Sequence, residues 1–291
     1  MRKIFNFAMV AVTAIFAGCA NDEDALLPNG SLKDTPINVD VLVSGINTRA
    51  GYDNTSLPTM FYLSIDQNGT NYDYTNVVMK YEGDTWVAYE SDAENAEKKQ
   101  LLWEGSKDNV TVTAATFSLS DASTTLNVQT DQSTADGIKA SDHLYYYSND
   151  VTPSTGSISL GLNHIMSKIS VQLTLGTEYK ASETNPITSV TAFGASTGAT
   201  YSPGAGTPWS KQSNVKKITL IPSVAYDKAD RTVTYEAILV PQTIAENTFG
   251  IEIRIGEKTY EWKSAEAFTL KGGTNHTLEM TVGNASSANI N

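Results

Sequence analysis

Ile37-Asn38-Val39-Asp40-Val41-Leu42-Val43 is the stretch from which the fold can be read. Its apolar residues fall on every second position and alternate with Asn38 and Asp40, with Leu42 the single breach. Successive strand side chains point to opposite faces, so the pattern describes a strand with one buried face and one wet face. The same period recurs downstream. Strands are expected over 59–65, 76–81, 85–89, 110–117, 144–147 and 157–162, separated by turns such as Gln67-Asn68-Gly69-Thr70 and Glu82-Gly83-Asp84. A second series starts at Ile165 and predicts strands over 169–175, 187–193, 215–221, 232–240, 249–255, 259–263 and 277–282. The segments 179–186 and 197–208 read as polar loops rich in Gly or Pro, and 91–99 as a charged surface excursion with at most a turn or two of helix.

No amphipathic helix of ordinary length appears. Many short strands joined by turns, without helices between them, predict antiparallel β-sandwiches rather than a parallel α/β sheet. With 291 residues the chain exceeds one small core, so two sandwiches in tandem are expected, meeting between residues 158 and 165.

The first residues read as a leader. Arg2 and Lys3 precede an apolar run from Phe7 to Phe16 that is too short to span a bilayer. It ends in Phe16-Ala17-Gly18-Cys19, where small residues invite cleavage between Gly18 and Cys19 and lipidation of the new terminal cysteine. An ordinary signal peptide followed by a chance cysteine is the plainer reading. Cys19 is the only cysteine, so no intrachain disulfide can form. Residues 19–34, with Asn21-Asp22-Glu23-Asp24, Pro28 and Gly30, read as a flexible acidic tether. Without Arg2 and Lys3, 18 of the 20 basic residues remain against 32 acidic ones, a net charge of −14. Such a surface repels phosphate backbones and excludes nucleic acid as the main partner.

Several constellations could carry chemistry. Gly194-Ala195-Ser196-Thr197-Gly198 matches a nucleophile elbow, with Asp227 or Asp230 and His276 following in triad order. That motif needs a helix directly after the serine, and Pro203, Gly204, Gly206 and Pro208 oppose one. Gly204-Ala205-Gly206-Thr207 lacks the Lys-Ser/Thr ending of a phosphate loop. His143, His164 and His276 have no metal-ligand spacing. Asp66, Asn68, Asp73 and Asp84 could face calcium, but turn duty explains them. Trp86, Trp103, Trp209 and Trp262 could stack on sugars or pack in the core. These readings predict no enzyme, no metal and no cofactor.

The C-terminal half resembles a known family. Leu162-Asn163-His164-Ile165-Met166-Ser167-Lys168-Ile169-Ser170-Val171-Gln172-Leu173 is similar to the L-x-H-x-x-S-K-I-x-V-x-L strand of fimbrillin-like proteins, the subunits of type V pili. Ser141-Asp142-His143-Leu144-Tyr145 resembles that family's S-D-x-L-Y segment, and Val240-Pro241-Gln242 its V-P-Q strand end. Residues 268–282, with Gly272 and Gly273, resemble its closing hairpin, and Thr48-Arg49-Ala50 follows the first strand.

The resemblance implies an all-β fold of two antiparallel, transthyretin-like or Greek-key sandwiches in tandem. The expected plan is a lipoprotein leader over 1–18, a tether over 19–34, a sandwich over 35–160 with a removable first strand, and a second over 161–291 with a donor strand. It implies export through lipidated Cys19 to the outer membrane and a fimbrium at the cell surface. It also implies cleavage between Arg49 and Ala50, which frees the strand carrying Ile37, Val39, Val41 and Val43. The groove left open would take a strand such as that of Leu278, Met280 and Val282 from another fimbrial subunit. Partners are then fellow subunits and host or bacterial surface ligands. The alternative is a non-polymerising surface lipoprotein, either a pilus anchor or a glycan binder.

Overall fold

The computed structural model describes residues 32–45, 51–105, 108–180 and 182–284, and the backbone of 287–290. In the first half the alternating stretches become β1 (Asn38–Ser44), β2 (Met60–Asp66), β3 (Tyr74–Glu82), β4 (Thr85–Tyr89), β5 (Val110–Ala115), β6 (Thr124–Asn127), β7 (Leu144–Val151) and β8 (Ser157–His164). A one-turn helix, α1 (Ala135–Lys139), lies between β6 and β7. Thr134 caps it by accepting the Gly137 N–H, and Ile138 is its buried anchor.

All of these strands except β6 form one sheet in the order β1-β8-β7-β5-β2-β3-β4. The sheet curls until β4 approaches β1. Its inner face collects Val39, Val41, Val43, Phe61, Leu63, Val112 and Leu160 around the fully buried Trp103. The Trp103 indole N–H donates to the Ser154 carbonyl at 2.8 Å, so its one polar atom is satisfied inside the core.

The second half comprises β9 (Ser167–Leu175), β10 (Ile187–Phe193), β11 (Ser196–Tyr201), β12 (Trp209–Val215), β13 (Ile218–Thr219), β14 (Ile221–Asp227), β15 (Thr232–Leu239), β16 (Gln242–Ile244), β17 (Gly250–Ile255), β18 (Lys258–Lys263), β19 (Phe268–Leu270), β20 (Asn275–Val282) and β21 (Ser287–Ile290). The sheets β14-β15-β9-β20-β21 and β13-β10-β17-β18 contribute Ile169, Val171, Val233, Leu278, Val190 and Ile251 to one shared core. A small sheet, β12-β11-β6, ties the halves together, because β6 comes from the first half and pairs with β11 of the second. The chain after β6 stays there. The Gln132 side chain donates to the Ile238 carbonyl and accepts from the Ile238 N–H, both at 2.8 Å, so its amide mimics a strand neighbour for β15. Residues 32–291 cluster as one compact unit, nearly all-β, in which the second core takes in Val128 and Ile138 from the first half.

Three local expectations are corrected. Not every pairing is antiparallel: β1 runs parallel to β8, and β20 parallel to β9. A parallel pair needs a long crossover, and here the intervening strands of each half supply it. The segment 197–208 is a loop only after Tyr201, since β11 occupies Ser196–Tyr201 between β6 and β12. Its burial on both faces removes the alternation that marks a strand in sequence. The strand expected over 215–221 is divided among three sheets: Val215 ends β12, Ile218 pairs on β10 and Ile221 opens β14. Segment 91–99 is a surface excursion as expected, formed of bends and turns with its residues almost all exposed.

One buried charge pair stiffens the second core. Lys168 Nζ lies 2.8 Å from Glu236 Oε2, with the side chains 7% and 3% exposed, across the antiparallel pair of β9 and β15. Removing one partner strands the other charge in a dry site. Lys168→Met is therefore expected to lower stability by about 3–5 kcal/mol, and Lys168→Met with Glu236→Leu to recover most of that loss. Urea denaturation of the two variants checks this.

Candidate strand-exchange site

β1 is the edge strand whose removal would open the first core. Its burial alternates without a break, with Val39, Val41 and Val43 at 6–7% exposure and Leu42 at 52%. In register on β8, Val39 faces Ile158, Val41 faces Leu160 and Val43 faces Leu162, so each buried pair is apolar on both sides. Among the described residues, β8 is the one strand neighbour of β1 in the sheet. On the other side runs the segment that begins at Gly51, where Asn54 Oδ1 accepts the Val43 N–H at 2.8 Å.

Both flanks of β1 are fastened by more than the ladder. On the N-terminal side, Ile37 N–H donates to Leu101 O at 2.8 Å, Trp103 N–H to Thr35 O at 2.9 Å and Asp34 N–H to Trp103 O at 2.9 Å. The Tyr72 hydroxyl adds a 2.6 Å bond to Asp34 Oδ1. A released piece therefore has to unzip from 101–103 as well as from β8. On the C-terminal side, His164 Nδ1 lies 2.7 Å from Asp142 Oδ1, both side chains almost fully buried. Asp142 Oδ2 accepts the Tyr52 N–H at 3.0 Å. Gly45, with φ of +102°, packs over the His164 ring. The two chain ends bordering 46–50 are thus held at one buried pair. Arg49 and Ala50, like Gly18 and Cys19, lie outside the described residues.

The strand of Leu278, Met280 and Val282 is β20. All three side chains are buried, at 0%, 5% and 3% exposure. β20 lies inside its sheet, parallel to β9 on one side and antiparallel to β21 on the other.

The remaining sequence candidates are otherwise engaged. In Gly194-Ala195-Ser196-Thr197-Gly198 the glycines are needed for packing. Gly194 has φ of +79° and lies against the Thr248 carbonyl, and a side chain at Gly198 would run into Asn127 and Ser213. A strand follows Ser196. Ser196 N–H donates to Gln242 Oε1 at 2.9 Å, and the Gln242 amide returns a bond to Ser196 O at 3.0 Å. Asp227 Oδ1 accepts from Ala229 and Asp230 N–H in a turn, and His276 Nε2 accepts the Lys271 N–H. Burial and the Lys271 charge both hold the His276 pKa below its usual value. His143 Nε2 lies 3.1 Å from Asn127 O, and burial holds its pKa low. Asp66 and Asp73 accept backbone N–H groups of their own turn. Among the described residues no group of three or more His, Cys, Asp or Glu side chains is placed to hold a metal. Trp209 and Trp262 are half-buried against the second core. Sequence reasoning missed Asp142, Asn54 and the 101–103 zipper. Only Asp142 left a signal, in the S-D segment upstream of His164.

The site is thus an edge strand with an apolar inner face on a nearly all-β fold of several sheets. The chain belongs to the fimbrillin-like family, whose pattern it matches over residues 47–291, which makes it a pilus- or adhesion-type surface protein. In structure it is similar to a candidate cell adhesion protein from Bacteroides ovatus, at 15% identity and a TM-score of 0.64, covering 89% of this chain and 96% of that one. A second candidate cell adhesion protein, from Bacteroides uniformis, aligns at 12% identity and a TM-score of 0.52, covering 91% and 99%. At these identities the likeness is one of fold. Among curated proteins none matches the chain.

The Asp142–His164 pair joins two of the motifs that carry the family resemblance. Asp142→Ala leaves the His164 ring and the Tyr52 N–H without their partner, and a loss of about 2–4 kcal/mol is expected. A lowered urea midpoint at unchanged slope measures it.

Proposed function

We propose that this protein is a fimbrial subunit, exported as a lipoprotein through Cys19 and joined to its neighbours by strand exchange after cleavage behind Arg49. On this reading Gly18 is removed with the leader and the lipid holds the precursor at the outer membrane. The cut then makes Ala50 the new N-terminus. Two sandwich domains, split near 160, carry the acceptor groove and the donor strand. The role is mechanical and adhesive, and it uses no cofactor, metal or catalytic group.

The supporting observation is the place of β1. It is an edge strand whose inner face is wholly apolar and whose chain leads directly to Arg49. Loss of Ile37, Val39, Val41 and Val43 would expose a groove worth roughly 6–12 kcal/mol of burial to whatever refills it. β20 matches the vacancy. If Leu278 takes the place of Val39, then Met280 falls on Val41, Val282 on Val43, and Glu279 on Asp40 of the wet face. β20 also already runs parallel to its sheet partner, as β1 does to β8. Because β20 is buried in its own sheet, donation is an exchange, in which area exposed at one core is recovered at the next.

The internal place of β20 also favours a second reading. A strand held on both sides leaves its sheet only at high cost, and a pilus anchor or glycan-binding surface lipoprotein that keeps β1 avoids that cost.

Surface expression of the native chain and of Arg49→Ala separates the two. The subunit reading expects Ala50 at the mature N-terminus and a ladder of polymers on gels for the native chain. For Arg49→Ala it expects an intact N-terminal segment, no ladder and an unchanged melting temperature. Normal ladders from the variant would contradict it.

A further inference from the structure

The curl of the first sheet stops short of closure. Between the free edge of β1 and the β3–β4 hairpin opens a cleft of about 310 Å³. Its β1 wall carries Asn38 and Asp40, both exposed, and Ser157 at the start of β8 stands beside them. The opposite wall is aromatic. Trp86 rests edge-on against the buried Phe61, with centroids 4.7 Å apart, and the Tyr81 ring lies 5.1 Å from it at a tilt of 52°. Tyr81 is 45% exposed, so this is a ring wall backed by the core and open to solvent. Asp84, in the turn between the two strands, adds a second carboxylate, and among the described residues no Lys or Arg lines the cleft.

We propose that this cleft binds a neutral saccharide. A sugar ring has an apolar face of C–H groups and a rim of hydroxyls, and the cleft offers the complement of both. Aromatic faces accept the C–H surface, while Asp40, Asp84, Asn38 and Ser157 accept or exchange hydrogen bonds with hydroxyls. The volume stands at the low end of the roughly 300–1,000 Å³ seen for small-molecule sites, which suits one or two sugar rings. A purely apolar ligand would strip water from two carboxylates and return nothing. Anionic sugars meet two like charges without a cation to offset them. A lone ammonium group would fill a small part of the space and leave Asn38 and Ser157 unused.

The proposal supplies a ligand class for the adhesive half of the function above. It does not rest on strand exchange, because the site is complete while β1 is in place. Under the exchange register given above, Thr277 and Glu279 of a donor would succeed Asn38 and Asp40, so the polar wall would be rebuilt at the subunit junction with the same chemistry.

The test uses the purified, uncleaved protein. Its probes are a neutral glycan array followed by saturation-transfer NMR with methyl glycosides of glucose, galactose, mannose and N-acetylglucosamine. Sialyllactose serves as the anionic probe and a lysine-rich peptide as the cationic one. Binding of at least one neutral saccharide is expected, weakened about tenfold or more by Trp86→Ala and by Asp40→Ala, with sialyllactose silent. Tyr81→Ala, at an exposed ring, stands in if Trp86→Ala fails to fold. Absence of neutral-saccharide binding, binding unchanged in all the folded variants, equal binding of sialyllactose, or binding of the lysine peptide alone would each overturn the proposal. Failure of polymer ladders to form would leave it untouched.

Discussion

The parallel ladder between β1 and β8 closes the first half of the molecule, and most of what is distinctive about the protein follows from it. A strand near the start of the described chain pairs with one more than a hundred residues later. The strands between them form the crossover, so the contact is non-local and its closure carries the entropic cost of a long loop. The pair is apolar along its buried face and open along its outer edge. In the sheet β1 is therefore held by one strand ladder, and its flanks by the bonds to 101–103 and to Asn54. The second half repeats the device with β9 and β20, but there β21 covers the outer edge. Among the described residues β1 has a strand on one side and β20 on both, and this asymmetry is why the proposal assigns the acceptor position to the first.

Polar side chains in the core work as fasteners. Gln132 pins the crossing segment to β15, and Gln242, at the start of β16, pins β11 through Ser196. Asp142 with His164 pins the two ends that border 46–50, and Lys168 with Glu236 ties β9 to β15. Each satisfies groups that burial would otherwise leave without partners. Asp142, His164, Lys168 and Gln242, which all lie in the segments that resemble the family, are among these fasteners.

Strands were legible where a long run of apolar residues alternates against a wet face, and not where they are short or mostly polar, as in β6 and β12. Ile37 to Val43 declares its buried side through Asn38 and Asp40, and Gly250 to Ile255 does so almost as clearly. β11 was not legible, because it is buried on both faces and carries Gly198 for close packing against Asn127. The stretch from Val215 to Ile221 misled for the opposite reason: it alternates, yet it passes between sheets. Parallel pairing left no trace, since a strand's own residues do not encode the direction of its neighbour. The cleft beside Trp86 was equally hidden, as its walls are set by how far the sheet curls. The aromatic residues hinted at it only as a composition. The zipper between 34–37 and 101–103 is made of backbone bonds, which no side-chain pattern reports.

The central claim is that β1 and its flanking residues form a separable piece whose vacancy a strand of the β20 type can fill. Limited trypsin treatment to nick the protein behind Arg49, followed by native mass spectrometry with a synthetic peptide spanning residues 275–282, tests it directly. The nicked protein should keep its N-terminal peptide by the β8 ladder and the 101–103 zipper, and then exchange it for the added peptide under mild denaturant. If the N-terminal peptide departs and the added peptide never binds, or if a peptide with Met280→Asp binds equally well, the groove is not an acceptor and the account fails.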